Sequence, residues 1–316
     1  MHIESSSPGG IGVGRFAPTP SGNLHLGNLR TAIVAYLAAR SSGRRFVLRT
    51  DDLDRQRSRE EFVQVQRDEL HAIGLSWDPD GSKYRQSAHD LDYQAAIAQL
   101  AQCGLVYECY CTRREILDAP SAPHTPPGAY PGTCRDLSEA ERARLRQVRP
   151  HPALRLRAEV RVYTVNDALY GRYTAAVDDF VLSRGDGTAS YNLAVVLDDA
   201  AQGVDQVVRG EDLLSSAPRQ AYLASLLGIP PVEYLHVPLV LNARGVRLAK
   251  RDGAVTLERL HVSGVDADQV VAFLLCSLGL PPSLSEAVSV FRASELSLQP
   301  LQLDEDVATQ LGANRI

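Results

Sequence analysis

Two short motifs, more than two hundred residues apart, constrain the fold of this chain more than anything else in it. The first is Arg15-Phe16-Ala17-Pro18-Thr19-Pro20-Ser21-Gly22-Asn23-Leu24-His25-Leu26-Gly27-Asn28. It reads as a strand, a Gly-containing turn and a His that opens a helix. The second, Gly245-Val246-Arg247-Leu248-Ala249-Lys250-Arg251, puts one Lys in a Gly-flanked loop. Helix N-termini attract phosphate through unbonded N–H groups and the helix dipole. A His at such a place can donate to a phosphate oxygen as charge grows there. An ammonium on a loop can neutralise the same charge. A fold that brought His25 and Lys250 together would therefore hold ATP and support attack on its α-phosphate. The chain has only two lysines, Lys83 and Lys250, against 31 arginines, so a Lys in that loop stands out from its background.

Periodicity supplies the frame. Residues 13–18 read as a strand and 26–41 as a helix with Ile33, Val34 and Leu37 on one face. Residues 45–50 read as a second strand, running into the acidic stretch Asp51-Asp52-Leu53-Asp54. Helices are expected over 58–73, with Ser58 as N-cap, and over 90–103 and 137–148. Residues 154–165 alternate like one strand. Strands at 180–184 and 206–209 are expected to return to the nucleotide-binding sheet, with a helix over 191–199 between them. A helix over 214–227 is stopped by Gly228, and 235–241 reads as the last core strand. The remainder holds one clear helix, 267–278, and a weaker one. Strands alternating with helices predict an α/β fold with a parallel sheet. Ligands bind such sheets at the carboxyl ends of strands, where residues 15–21 and Asp51 lie.

The expected organisation is a disordered lead over 1–12, a first half-domain over 13–105, an inserted lobe over 106–178, a second half-domain over 179–262, and a short helical segment over 263–316. A net charge of −5 argues against general adhesion to nucleic acid, though not against a local basic groove. No apolar run reaches the roughly 18–20 residues of a membrane span. The first ten residues lack the features of a signal peptide, so a cytoplasmic protein is expected. Five cysteines, an odd number, argue against a disulfide framework. Cys109, Cys111 and Cys134 lie within 26 residues and point to a metal. Zinc takes four ligands, and His124, in the same Pro-rich loop, is the conventional fourth; three unliganded thiols are the lesser alternative.

Taken together, the two motifs resemble the HIGH and KMSKS signatures of class I aminoacyl-tRNA synthetases. Flanking residues narrow the resemblance to the glutamyl branch. The short length and the Cys pattern narrow it again, to the glutamyl-Q tRNA(Asp) synthetases, over about residues 14–260. Such a resemblance implies a Rossmann-like parallel sheet with an inserted zinc-bearing lobe. It implies ATP bound with Mg2+ by His25, Gly27, Asn28, Arg247 and Lys250, with His25 and Lys250 catalytic. It implies glutamate held by Arg15, Phe16, Ala17, Pro18, Thr19, Asp51, Tyr191 and Arg209. The segments Val208-Arg209-Gly210-Glu211-Asp212 and Tyr191-Asn192-Leu193-Ala194 carry that part of the match. In the family the fourth ligand of a structural zinc is a Tyr four residues before the last Cys, which is Tyr130 here.

Three positions depart from the pattern. Asn28 stands at the second His, Ala249 at a Ser, and Asp51 where the family usually has Glu. Asp is one methylene shorter, so a water would bridge the gap or Asp52 would take the role. The implied activity is conversion of glutamate to glutamyl-adenylate without tRNA. Transfer follows to queuosine, at the wobble position in the anticodon loop of tRNA(Asp). No stable protein partner is implied. The competing expectations are a truncated glutamyl-tRNA synthetase that charges a tRNA 3′ end, and an inactive paralogue that binds tRNA.

Overall fold

A computed structural model describes residues 11–79, 84–118, 129–248 and 255–313. The chain runs β1 (Val13–Phe16), α1 (Leu26–Ser41), β2 (Arg45–Leu48), α2 (Glu60–Ala72), α3 (Asp90–Gln102), β3 (Val106–Cys109), α4 (Arg113–Leu117) and α5 (Glu139–Val148). Next come β4 (Ala153–Leu156), β5 (Val162–Asp167), β6 (Gly171–Ala176), β7 (Val181–Ser183), α6 (Tyr191–Ala201), β8 (Gln206–Gly210) and α7 (Ala217–Leu226). The last part holds β9 (Glu233–Val237), β10 (Val240–Leu241), α8 (Leu257–Val262), α9 (Ala267–Cys276), α10 (Leu284–Val290), β11 (Leu301–Gln302) and α11 (Val307–Ala313).

Six strands form the main sheet in the order β2-β1-β8-β9-β5-β6. Every pairing is parallel except β5 with β6, an antiparallel edge hairpin. All four residues of β1 are buried, as expected of a central parallel strand covered on both faces. Against it lies α1, which buries ten of its sixteen residues. The sequence suggested one apolar face; the helix is instead apolar nearly all round, because it is enclosed by the sheet and by the C-terminal helices. Close approach depends on Gly14, where a Cβ would stand 2.8 Å from that of Ala39. Phe273, Leu274 and Val270 of α9 join the same core as α1, so residues beyond 262 pack into the core beside the main sheet.

Several expectations need correction. The single strand over 154–165 is two strands in two sheets: β4 pairs with β3 and β7, whereas β5 joins the main sheet. Beyond β4 the ladder with β3 runs one residue further, Arg157 donating its N–H to Leu105, and the backbone then leaves it, Ala158 donating to the Asp179 carboxylate. The strand over 180–184 is β7 of the three-stranded sheet and does not return to the main sheet, where it was expected. The strand over 235–241 breaks at Pro238, which has no N–H for a ladder and whose carbonyl accepts instead from Arg30 at 2.9 Å. Beyond the break, β10 pairs in parallel with β11. Ser58 is not the cap of α2, which begins one residue later behind Arg59.

Candidate active site and metal cluster

At the carboxyl ends of β1 and β8 opens a cleft of about 390 Å³. Arg15, Phe16, Ala17, Pro18 and Thr19 line it from β1 and the turn that follows. His25, Gly27 and Asn28 line it from the start of α1. Asp51, Tyr191, Arg209 and Arg247 complete the set. Every described residue expected around the amino acid or the nucleotide therefore meets in one cavity. Lys250 lies outside the described residues. Of the described residues nearest it on either side, Leu248 donates its N–H to Val240, both of which line the cleft, and Val255 accepts from the Leu26 N–H at 3.0 Å, next to His25.

The start of α1 explains Asn28. His25 is the N-cap, and its Nδ1 accepts from the Asn28 N–H at 3.2 Å; the Asn28 side-chain oxygen accepts in return from the His25 N–H at 3.3 Å. This is a reciprocal capping box. With Nδ1 engaged as an acceptor, a neutral imidazole carries its proton on Nε2. Gly27 leaves the ring room, since a Cβ there would stand 3.0 Å from it and press it aside.

Charged groups in the cleft rest on partners that the sequence did not single out. Arg15 donates twice to Asp199, at 3.2 and 3.3 Å, and once to the Val208 carbonyl. Asp51 is gripped by Arg49, whose Nε lies 2.7 Å away. Burial pushes the Asp51 carboxyl up to about 6 despite the opposing Arg49. Arg209 donates to His236 Nε2 at 3.0 Å and to Gln220 at 2.7 Å. His236 Nδ1 lies 2.6 Å from Asp167, both side chains being fully buried. Burial lowers the His236 pKa, so the ring stays neutral, accepts from Arg209 and donates to Asp167. Arg247, expected to face the nucleotide, forms an ion pair with Asp212 at 2.7 Å. The only sequence hint of these partners was the acidic doublet Asp198-Asp199 at the end of an otherwise apolar helix.

A second cluster lies in the inserted lobe. The sulfurs of Cys109, Cys111 and Cys134 all lie within 4.8 Å of one another. Cys111 and Cys134 are 3.6 Å apart, close to the edge of a tetrahedron with ligand bonds of about 2.3 Å. The Tyr130 hydroxyl stands 3.4 Å from Cys109 and 3.9 Å from Cys111, and accepts from the Cys134 N–H at 2.7 Å. The hydroxyl thus lies against the three-cysteine cluster. The Arg155 guanidinium lies 3.7 Å from the centre of the Tyr130 ring, a cation placed where thiolates need one. Burial works to raise the Cys109 thiol, but Tyr130 and Arg155 outweigh it and bring it below the usual range. Three thiols and a phenol in this arrangement fit a closed metal site. His124 lies outside the described residues.

A family model described as class I tRNA synthetases (E and Q), catalytic domain, matches residues 13–303. A glutamyl-Q tRNA(Asp) synthetase of Nocardia farcinica is 58% identical, over 93% of this chain and 94% of the relative. One from Nitratidesulfovibrio vulgaris is 42% identical, over 94% of this chain and 97% of the relative. Among solved structures, a glutamate tRNA ligase from Elizabethkingia meningosepticum, in complex with its amino acid, superposes with a TM-score of 0.78 at 24% identity. That superposition covers 95% of this chain and 68% of the other, and speaks for the fold. The chain therefore belongs to the class I tRNA synthetases of the E and Q branch, a family of ligases, and within it groups with the glutamyl-Q tRNA(Asp) synthetases.

Proposed function

We propose that the protein activates glutamate with ATP in the absence of tRNA and then transfers the glutamyl group to queuosine in the anticodon loop of tRNA(Asp). The observation that carries this reading is the meeting of Arg15, His25, Asp51, Tyr191 and Arg209 in one cleft. Two guanidiniums suit a carboxylate, one carboxylate suits an ammonium, and a helix N-terminus suits phosphate. The names of the relatives at 58% and 42% identity support the choice of RNA.

In the first step a glutamate α-carboxylate oxygen attacks the α-phosphorus of ATP. The bond from that phosphorus to the bridging oxygen breaks, and pyrophosphate leaves. Mg2+ would accompany the phosphates. His25, through Nε2–H, and the α1 N-terminus would stabilise charge on the phosphoryl oxygens. Lys250 would do the same from its loop. Arg209, fixed by His236 and Gln220, would hold a substrate carboxylate without reorganising. In the second step a hydroxyl of the cyclopentene-diol attacks the activated carbonyl and AMP leaves. Zinc held by Cys109, Cys111, Cys134 and Tyr130 would brace the lobe and take no part in either step. No helix among the described residues is long and apolar enough to cross a membrane, and a cytoplasmic location suits the proposed substrates.

The decisive experiment is ATP–pyrophosphate exchange with glutamate, aspartate and glutamine side by side, without RNA. Exchange should depend on glutamate. On addition of tRNA(Asp), the queuosine nucleoside should gain the mass of one glutamyl group. Label appearing instead on the 3′-terminal adenosine would overturn the reading.

A further inference from the structure

Behind the cleft runs a buried bridge of two residues that do not line it. Arg49 is fully buried. It donates to Asp51 from Nε at 2.7 Å and from one terminal nitrogen at 3.4 Å. Its other terminal nitrogen donates to Asp199 at 2.6 Å. Asp199 in turn takes two bonds from Arg15. Two of the cleft-lining charges, Asp51 and Arg15, are thus tied through Arg49 and Asp199 into one rigid unit. That unit joins the end of β2, the interior of β1 and the end of α6.

We propose that Arg49 and Asp199 are positioning residues that fix the separation of the Asp51 carboxylate from the Arg15 guanidinium, and so shape the cleft for an amino-acid zwitterion. This rests on the function proposed above for the identity of the ligand. The charge balance supports it. Asp51, Asp198 and Asp199 are buried together with two guanidiniums, which leaves one negative charge in excess when all three are ionised. Asp199 sits below the usual carboxylate range, since Arg15 and Arg49 outweigh its burial. Asp198 is satisfied by neutral donors, Tyr84, Tyr93 and Gln86. Burial pushes both Asp198 and Asp51 up, but of the three carboxylates only Asp51 lines the cleft, so it is the one that an incoming ammonium would complete. Only a planar fork can serve two carboxylates at once in fixed geometry, which explains an Arg rather than a Lys at position 49.

Steady-state exchange kinetics of Arg49→Gln and Arg49→Lys test this. The groups that face Asp51 are Arg49 beside it, Arg15 from β1, and Asp198 and Asp199 from α6. Loss of the neighbouring cation must raise the pKa of Asp51. In Arg49→Gln the acid limb of kcat/KM for glutamate should therefore move to higher pH. Its glutamate KM should rise about tenfold or more, the scale of a lost charge-assisted hydrogen bond. The ATP KM should stay within about twofold. Arg49→Lys should return the acid limb towards the parent while its glutamate KM stays high, because charge returns without the fork. If Arg49→Gln does not fold, Asp199→Asn reports from the other end of the bridge with the same split between the two KM values. Equal rises in both KM values, or an unmoved acid limb in Arg49→Gln, would overturn the inference. Absence of glutamate-dependent exchange in the parent protein would instead count against the proposed function. The carboxyl-carbon titration of Asp51 in parent and Arg49→Lys then decides the positioning role alone: it requires an altered midpoint or chemical shift, and superimposable curves refute it.

Discussion

The cleft and the cysteine cluster each gather four or more polar side chains at a point, yet they are built from different kinds of chain. The cluster takes Cys109, Cys111, Tyr130 and Cys134 from one short stretch. The cleft and its supports take Arg15, Arg49, Asp51, Asp199, Arg209 and His236 from five strands and helices spread over most of the sequence. A local site is held by its own loop and by whatever ion closes it. A distributed site is only as rigid as the whole fold, so its side chains need a buried network to stay fixed.

Substitutions can break that contrast, beginning with the most damaging. Lys250→Ala should slow glutamate-dependent exchange by about a hundredfold to a thousandfold, the scale seen when one donor to a transition-state oxyanion is lost. Circular dichroism should be unchanged, and a near-parental rate would remove Lys250 from the chemistry. Arg209→Ala should raise the glutamate KM about tenfold to a hundredfold, since it also strands His236 and Gln220 inside the protein. A KM equal to the parent's would show that the distributed site does not depend on that network.

Acid should act on the cleft before it acts on the lobe. Asp51 must be ionised to meet an ammonium, and burial raises its carboxyl to about 6. Below that pH, kcat/KM for glutamate should drop by about tenfold per unit. The stability effect has the opposite sign. For an acid whose folded pKa is raised, the contribution to stability is largest below its ordinary value and is lost as pH rises through about 6. Asp199, held low, behaves in reverse: its contribution is lost as pH falls below the ordinary carboxylate value.

Smaller effects separate the two regions most cleanly. Chelation, or Cys134→Ser, should change exchange by less than about threefold, because a structural metal contributes to folding of its own lobe. The same treatment should expose residues 106–148 to protease and depress transfer to tRNA. An equal loss of exchange would mean that the lobe and the cleft are not independent. Asn28→Ala should cost about 0.5–1.5 kcal/mol, since it removes the returning bond of the capping box and leaves the His25 cap in place, read as a modest fall in the denaturant midpoint.

How much could be read in advance follows the same divide. Helix α1 was legible to the residue because its cap and its apolar run are both local. The meeting of three cysteines was legible as a spacing, whereas the approach of Tyr130 to them was expected only through the family resemblance. The cleft-lining set was legible through motifs, whereas its supports were not. Arg49 and Asp199 look like ordinary charges in a chain with 31 arginines, and only the fold buries them. Residues 154–165 misled because alternation continues through the crossing from one sheet to the other, and a period of two carries no information about which sheet a strand joins.

One feature of the sheet bears on how such a molecule is made. Strand β1 finds its first neighbour, β2, about thirty residues later, but its other edge waits for β8: Gly14 pairs with Gln206. At a synthesis rate of about 5–20 residues per second, roughly 190 intervening residues leave that edge unmatched for on the order of ten to forty seconds. For that interval a strand whose four residues all end up buried, Arg15 among them, sits on the ribosome with unmet amides, open to pairing with the wrong chain. A nascent polypeptide of this design has reason to recruit a chaperone early, well before any part of its catalytic apparatus exists.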